Sequence, residues 1–226
     1  ADLGDGHSLA GGVGILCDGK GNDYYSAQVW AQGCGYWWGL GICEDREGND
    51  MYRSGKYSIG AAAHFAIGCK VDLLGDDSYT EGYKEAVNQY LGHARDGSIG
   101  ISIDGEGNDN YLFKTHCGGA ADLGSLALFW DNAGNDTYTA LISGAPNAKD
   151  TWSDTPPFGA ISGYTPFYTF RDDIQSYGIF LDSGGKDIYN LDLQAQPWKK
   201  PPTNNATWQF IRSVRERGIG IDMENK

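Results

Sequence analysis

The chain has 226 residues, a formal net charge of −13, 34 glycines and only two methionines. Its acidity excludes a nucleic-acid-binding surface, which needs clustered Lys and Arg to replace phosphate counterions. Its glycine content and 13 % aromatics argue against helices packed by Leu and Met, and the absence of an apolar run of roughly 20 residues argues against a membrane span.

The first predicted strand ends at Asp18 and runs into the phrase DGKGNDYY. The same phrase follows Asp45 (DREGNDMY), Asp72 (DLLGDDSY), Asp104 (DGEGNDNY), Asp131 (DNAGNDTY) and Asp182 (DSGGKDIY), and a seventh copy, GIGIDMENK, contains Asp222. Successive Asp residues are separated by 27, 27, 32, 27, 51 and 40 positions, so the unit is 27 residues. A repeat that cannot bury its own face implies stacked units, and 27 residues at about 3.3 Å each give a contour of roughly 90 Å, one turn of a coil of short strands. The expected fold is all-β, a right-handed parallel β-helix (β-solenoid) of about seven rungs with two inserted loops, forming one domain over residues 1–226. A β-propeller blade would need four strands and more residues. Because the chain starts within a repeat (DGHSLAGGVGILCD), it is expected to be part of a longer chain or of an assembly.

Three positions before each Asp stand Ile15, Ile42, Cys69, Ile101, Leu128, Ile179 and Ile219, and one before stand Cys17, Glu44, Val71, Ile103, Trp130, Leu181 and Ile221. Period two assigns these columns to the interior and the repeat Asp to the outside. Four before the Asp, Gly14, Gly41, Gly68, Gly100, Ala127, Gly178 and Gly218 mark a place where backbones crowd. The Gly-Asn-Asp corner suits a tight turn, and the Tyr after it predicts a stacked aromatic ladder.

Fourteen of the thirty acidic residues stand at the first Asp or the last Asp of these phrases or at Asp76. Stacking would bring like charges close enough to repel even through solvent screening. Calcium would offset this, since it takes six to eight oxygens from carboxylates, amides and carbonyls. The candidate metal ligands are therefore Asp18, Asn22, Asp23, Asp45, Asn49, Asp50, Asp72, Asp76, Asp77, Asp104, Asn108, Asp109, Asp131, Asn135 and Asp136. The competing reading is that these side chains only close their own turns through backbone N–H groups, with Lys186 of the sixth copy neutralising its neighbours.

At NAGNDTYTA (132–140) and DGKGNDYY (18–25) the chain resembles the RTX, or haemolysin-type, calcium β-roll. That resemblance implies calcium between adjacent coils; it covers only the corners, and the 27-residue period and the Asp in place of the first Gly depart from it. The whole unit, best seen in AQGCGYWWGLGICEDREGNDMY (31–52), resembles repeats of uncharacterised secreted bacterial β-solenoid proteins. This implies an extracellular, cell-surface or periplasmic location and carries no activity.

The spacing excess falls at about 143–176 and 190–217. Insertions in a solenoid leave the coil as loops and commonly carry binding, so Trp152, Tyr168, Trp198, Lys199, Trp208 and Arg212 are candidate ligand-binding residues. Residues 190–226 carry +2 against −15 for residues 1–189. Aromatics beside basic groups suit an acidic glycan or protein subunits of a larger assembly; the bland alternative is a lid or end cap. The leading expectation is a non-catalytic structural or binding protein. A polysaccharide lyase or glycoside hydrolase of the β-helix type is the alternative, with Arg171, Asp172 and Asp173 as its catalytic candidates; the Gly-His-Gly and Arg-Ile-Lys elements of polygalacturonases are missing. His7, His64, His93 and His116 show no shared-metal spacing. The five cysteines, Cys17, Cys34, Cys43, Cys69 and Cys117, form no readable disulfide framework.

Overall fold

A computed structural model describes residues 10–81, 90–141, 157–161, 174–191, 202–213 and 215–224. Among the described residues there are strands and turns and no helix. The fold is all-β and mostly parallel. Each of the first four units contributes one strand to an Asp sheet, one to a Tyr sheet and a short one to a corner sheet. The Asp sheet runs in chain order through Val13–Cys17, Leu40–Asp45, Ile67–Asp72, Ile99–Asp104, Leu126–Asp131, Ser176–Asp182 and Glu216–Asp222, all parallel. Thr207–Ser213 closes it as an eighth, antiparallel strand. The Tyr sheet comprises Tyr24–Ser26, Met51–Ser54, Ser78–Glu81, Asn110–Phe113, Thr137–Ala140 and Ile188–Leu191, and the corner sheet runs from Gly35–Tyr36 to Ala121–Asp122. Asp45 pairs with Asp72, Asp131 with Asp182 and Asp182 with Asp222, so each repeated position in the sequence forms a column in space.

The faces of the Asp sheet are opposite to the sequence expectation. Ile15 is 61 % exposed and Ile42, Ile101 and Leu128 are half-buried, whereas Cys43, Phe129, Phe180 and every repeat Asp from Asp45 to Asp222 are buried. A one-residue change of parity moves every side chain to the other face. The deciding feature is the glycine column, which shares the parity of the Asp. Gly33 and Gly60 have φ of +81° and +74°, and they bring the corner chain against the Asp strands. There the Cys69 and Ile101 N–H groups donate to the Gly33 and Gly60 carbonyls, both at 3.0 Å. A Cβ on Gly41 or Gly68 would run into the carbonyl of Cys34 or Ala61. Backbone contact on this side needs glycine inward, which puts the Asp inward as well.

The wide side of the interior lies between the Asp and Tyr sheets and is filled by rings. Tyr25, Tyr52, Tyr79, Tyr111, Tyr138 and Tyr189 stack with centroids 4.7–5.1 Å apart, the inter-strand spacing itself. Phe113, Phe129, Phe158 and Phe180 fill the C-terminal half of the core. Phe158 and its neighbours correct the first insertion boundary. Ala121 N–H donates to the Ala160 carbonyl at 3.0 Å, and Ile161 bridges to Ala121, so 158–161 form the next corner of the body. The second proposed insertion likewise contains the strand Thr207–Ser213. Its Trp208 is 4 % exposed, donates Nε1–H to the Phe158 carbonyl at 3.0 Å, and lies where a Cβ on Gly220 would stand. Among the ligand-binding candidates Trp208 is thus placed in the core, on the last strand of the Asp sheet.

Candidate cation site

Two ladders of side chains run along the corner after each Asp strand. The outer ladder is exposed: Asn22 accepts from Asn49 N–H at 2.9 Å, Asn49 from Asp76 N–H at 3.1 Å, Asp76 from Asn108 N–H at 2.8 Å and Asn108 from Asn135 N–H at 3.1 Å. The inner ladder runs in the opposite sense. The Asp23 N–H donates to Asp50 Oδ1, Asp50 to Asp77, Asp77 to Asp109 and Asp109 to Asp136, at 2.6–2.7 Å, and Asp136 to Asp187 at 2.8 Å. Asn204 accepts from Asp187 N–H at 2.6 Å and ends the inner ladder with a neutral amide. The corner side chains therefore bond mainly the neighbouring unit's backbone. Closure of the chain's own turn, the other expectation, is seen at Asp18, which accepts from the Gly19 and Lys20 N–H groups.

The repeat Asp at the strand end faces the same interior. Each tyrosine donates its hydroxyl to the Asp of the next unit: Tyr25 to Asp45 at 2.5 Å, Tyr52 to Asp72 at 2.7 Å, Tyr79 to Asp104 at 2.5 Å, Tyr111 to Asp131 at 2.8 Å, Tyr138 to Asp182 at 2.7 Å and Tyr189 to Asp222 at 2.6 Å. This uses Oδ2 of the strand-end Asp, while the corner Asp uses Oδ1 in the ladder. The remaining oxygens, Oδ1 of Asp45, Asp72, Asp104 and Asp131 and Oδ2 of Asp50, Asp77, Asp136 and Asp187, are buried without a hydrogen-bond partner. Carboxylate oxygens converge within 4.8 Å of one another in five groups, among them Asp45–Asp50–Asp72, Asp72–Asp77–Asp104 and Asp136–Asp182–Asp187.

Such a column is electrostatically costly without compensation. Burial first, and neighbouring carboxylates with it, push Asp77 up to about 8, Asp109 to about 9 and Asp182 to about 8. Burial also raises Asp50 to about 6 and Asp136 to about 7. At one place the chain supplies its own cation. Lys70 is 1 % exposed, with Nζ 3.2 Å from Asp72 Oδ2 and 3.8 Å from Asp104 Oδ2, and it lies 4.3 Å from the ring centroids of both Tyr52 and Tyr79. Burial works against its charge, but Asp72 and Asp104 outweigh burial and raise its pKa. Lys70→Met is expected to destabilise the fold by about 3 kcal/mol, because two buried carboxylates lose their ammonium; a urea titration gives the value. Tyr111→Phe is expected to cost about 1–3 kcal/mol by leaving Asp131 Oδ2 unmet, with no cavity to confuse the reading.

Of the fifteen sequence candidates for metal, the structure brings together Asp18, Asp23, Asp45, Asp50, Asp72, Asp77, Asp104, Asp109, Asp131 and Asp136 on the interior side. Asn22, Asn49, Asp76, Asn108 and Asn135 stand apart in the exposed ladder. Asp182, Asp187 and Asp222 extend the inner column, and the tyrosine hydroxyls and Lys70 complete it. The phrase DSGGKDIY already carried Asp182 and Asp187, but Lys70 had no signal beyond its mixed column. Lys186 sits on the exposed ladder instead, its N–H donating to Asn135 at 3.0 Å. Trp152, Tyr168, Trp198, Lys199, Arg171, Asp172 and Asp173 lie outside the described residues, as does the side chain of Arg212.

His93 and His116 are fully buried and meet edge to face at 5.6 Å, where burial lowers both pKa values. His64 Nδ1 lies 2.5 Å from Asp96 Oδ2, and its ring stacks on Trp37 at 4.5 Å. None of the five cysteines, all of them described, forms a disulfide. Among the described residues no helix is long and apolar enough to cross a membrane. In comparison with known proteins, no family model, no curated protein and no solved structure matches the chain.

Proposed function

We propose that the chain is a right-handed parallel β-helix of about seven rungs, acting as a non-catalytic extracellular or cell-surface scaffold held together by calcium ions along its buried Asp column. The observation that carries this reading is the pairing of partnerless carboxylate oxygens at the Asp45–Asp50, Asp72–Asp77 and Asp131–Asp136 rungs; at the Asp104 rung Asp109 Oδ2 instead accepts from the Tyr111 hydroxyl. Each rung places two aspartates inward, so one divalent cation per rung would neutralise it. Magnesium demands near-ideal octahedral geometry and keeps several of its waters, whereas calcium accepts irregular shells of carboxylate and carbonyl oxygens, so a buried all-oxygen column suits calcium. Lys70 supports a cationic interior, since the fold already accommodates one positive charge there.

A structural role follows from burial. Asp45, Asp72, Asp131 and Asp182 are fully enclosed, so a substrate has no route to them, whereas an ion trapped during folding has. Extracellular calcium, in the range that fills weak oxygen sites, suits such a device. The test is elemental analysis of protein purified with calcium and then dialysed against metal-free buffer, together with calorimetric titration. Retention of several calcium ions per chain supports the reading. A metal-free protein whose melting is indifferent to calcium and chelator would reject it, leaving protons shared between the carboxylates.

A further inference from the structure

The Asp sheet carries its most apolar face outward. Its inward positions are Gly, Asp and a mixed column, while its outward positions are almost all Ile, Leu, Val, Tyr, Trp or Cys. Only Glu44 and Arg217 among them are charged, near opposite ends of the sheet. Val13, Ile15, Ile67, Leu126 and Tyr177 keep 39–66 % of their surface in solvent. Seven strands at about 4.8 Å extend about 30 Å, and three outward positions per strand cover about 13 Å. That projects to about 400 Å², which side-chain relief raises toward the roughly 600 Å² per partner of a small specific interface. Depletion of charge across the whole patch is the composition of a homodimer contact rather than of a transient one.

We propose that this face is the contact between two copies of the chain, packed sheet on sheet at about 10 Å. The surface is distinct from the strand edges at the two ends of the Asp sheet. Since each copy carries −13, the copies repel at long range, and salt should tighten the dimer by screening, the opposite of a charge-driven contact.

The test is sedimentation velocity of the full chain over a concentration series. A dimer that tightens with salt is expected, and Leu128→Lys, outward at the centre of the sheet, should weaken it at least about thirtyfold. Cys17 and Cys69 also face outward, so in the wild type their reaction with a thiol reagent should slow as concentration rises; this readout needs no variant to fold. Three outcomes would overturn the proposal: a monomer with freely reactive Cys69, a monomer with protected Cys69 (the face covered by its own chain), or a dimer indifferent to Leu128→Lys.

Discussion

Chelating calcium at pH 8 is expected to lower the melting midpoint by about 10–20 °C, with recovery on adding calcium but not magnesium. Two sites filled at a hundred times their dissociation constant contribute about 5 kcal/mol, and 1 kcal/mol corresponds to about 2–4 °C for a chain of this length. The pH dependence provides an independent check. Burial, with neighbouring carboxylates, raises Asp77, Asp109, Asp136 and Asp182 to about 8, 9, 7 and 8 from 3.8. The metal-free native chain therefore holds protons that the unfolded chain releases near pH 4. That stabilisation is fully present below about pH 4 and is lost as pH rises through 7 to 9. Metal-free protein should melt higher at pH 5 than at pH 8, and the increment from calcium should be larger at pH 8, where the ion competes with fewer protons. Differential scanning fluorimetry at the two pH values measures both; an equal increment at each would contradict the assignment of the ion to these carboxylates.

Trp208→Ala is expected to cost about 3–5 kcal/mol, the range for truncating a buried aromatic, and to act from one end. The indole covers Phe158 and Phe180, with centroids at 6.5 and 5.7 Å, and fills the gap above Gly220. Without it the last Asp strand loses its lid, so in hydrogen exchange the amides of Glu216–Asp222 should lose protection before those of Leu40–Asp45. Gly220→Val should reproduce the effect, since its side chain would meet the indole. An unchanged melting curve for both variants would show that the antiparallel strand is an appendage rather than a cap.

Much of this was legible in the residues themselves. The repeat Asp, the Gly-Asn-Asp corner and the Tyr fixed the unit, its parallel stacking and the aromatic ladder, because identical residues at a constant spacing have one economical arrangement. The glycine column announced backbone crowding, and Gly41 and Gly68 show it. What misled was the choice of face. Ile and Val at alternating positions ordinarily mark the interior, yet here they are outward, because glycine contact with the corner chain fixes the parity. The sequence also offered no sign that 158–161 rejoin the body after a long gap, since only Phe-Gly-Ala-Ile survives of the corner pattern.

The period, the columns and the residue types that stack were thus determined by the sequence alone, since each follows from local spacing. Which columns look inward, which oxygen each donor satisfies and where Lys70 ends its reach were decided only by tertiary structure. These depend on how closely a second strand approaches across the core, a long-range distance that local periodicity does not contain.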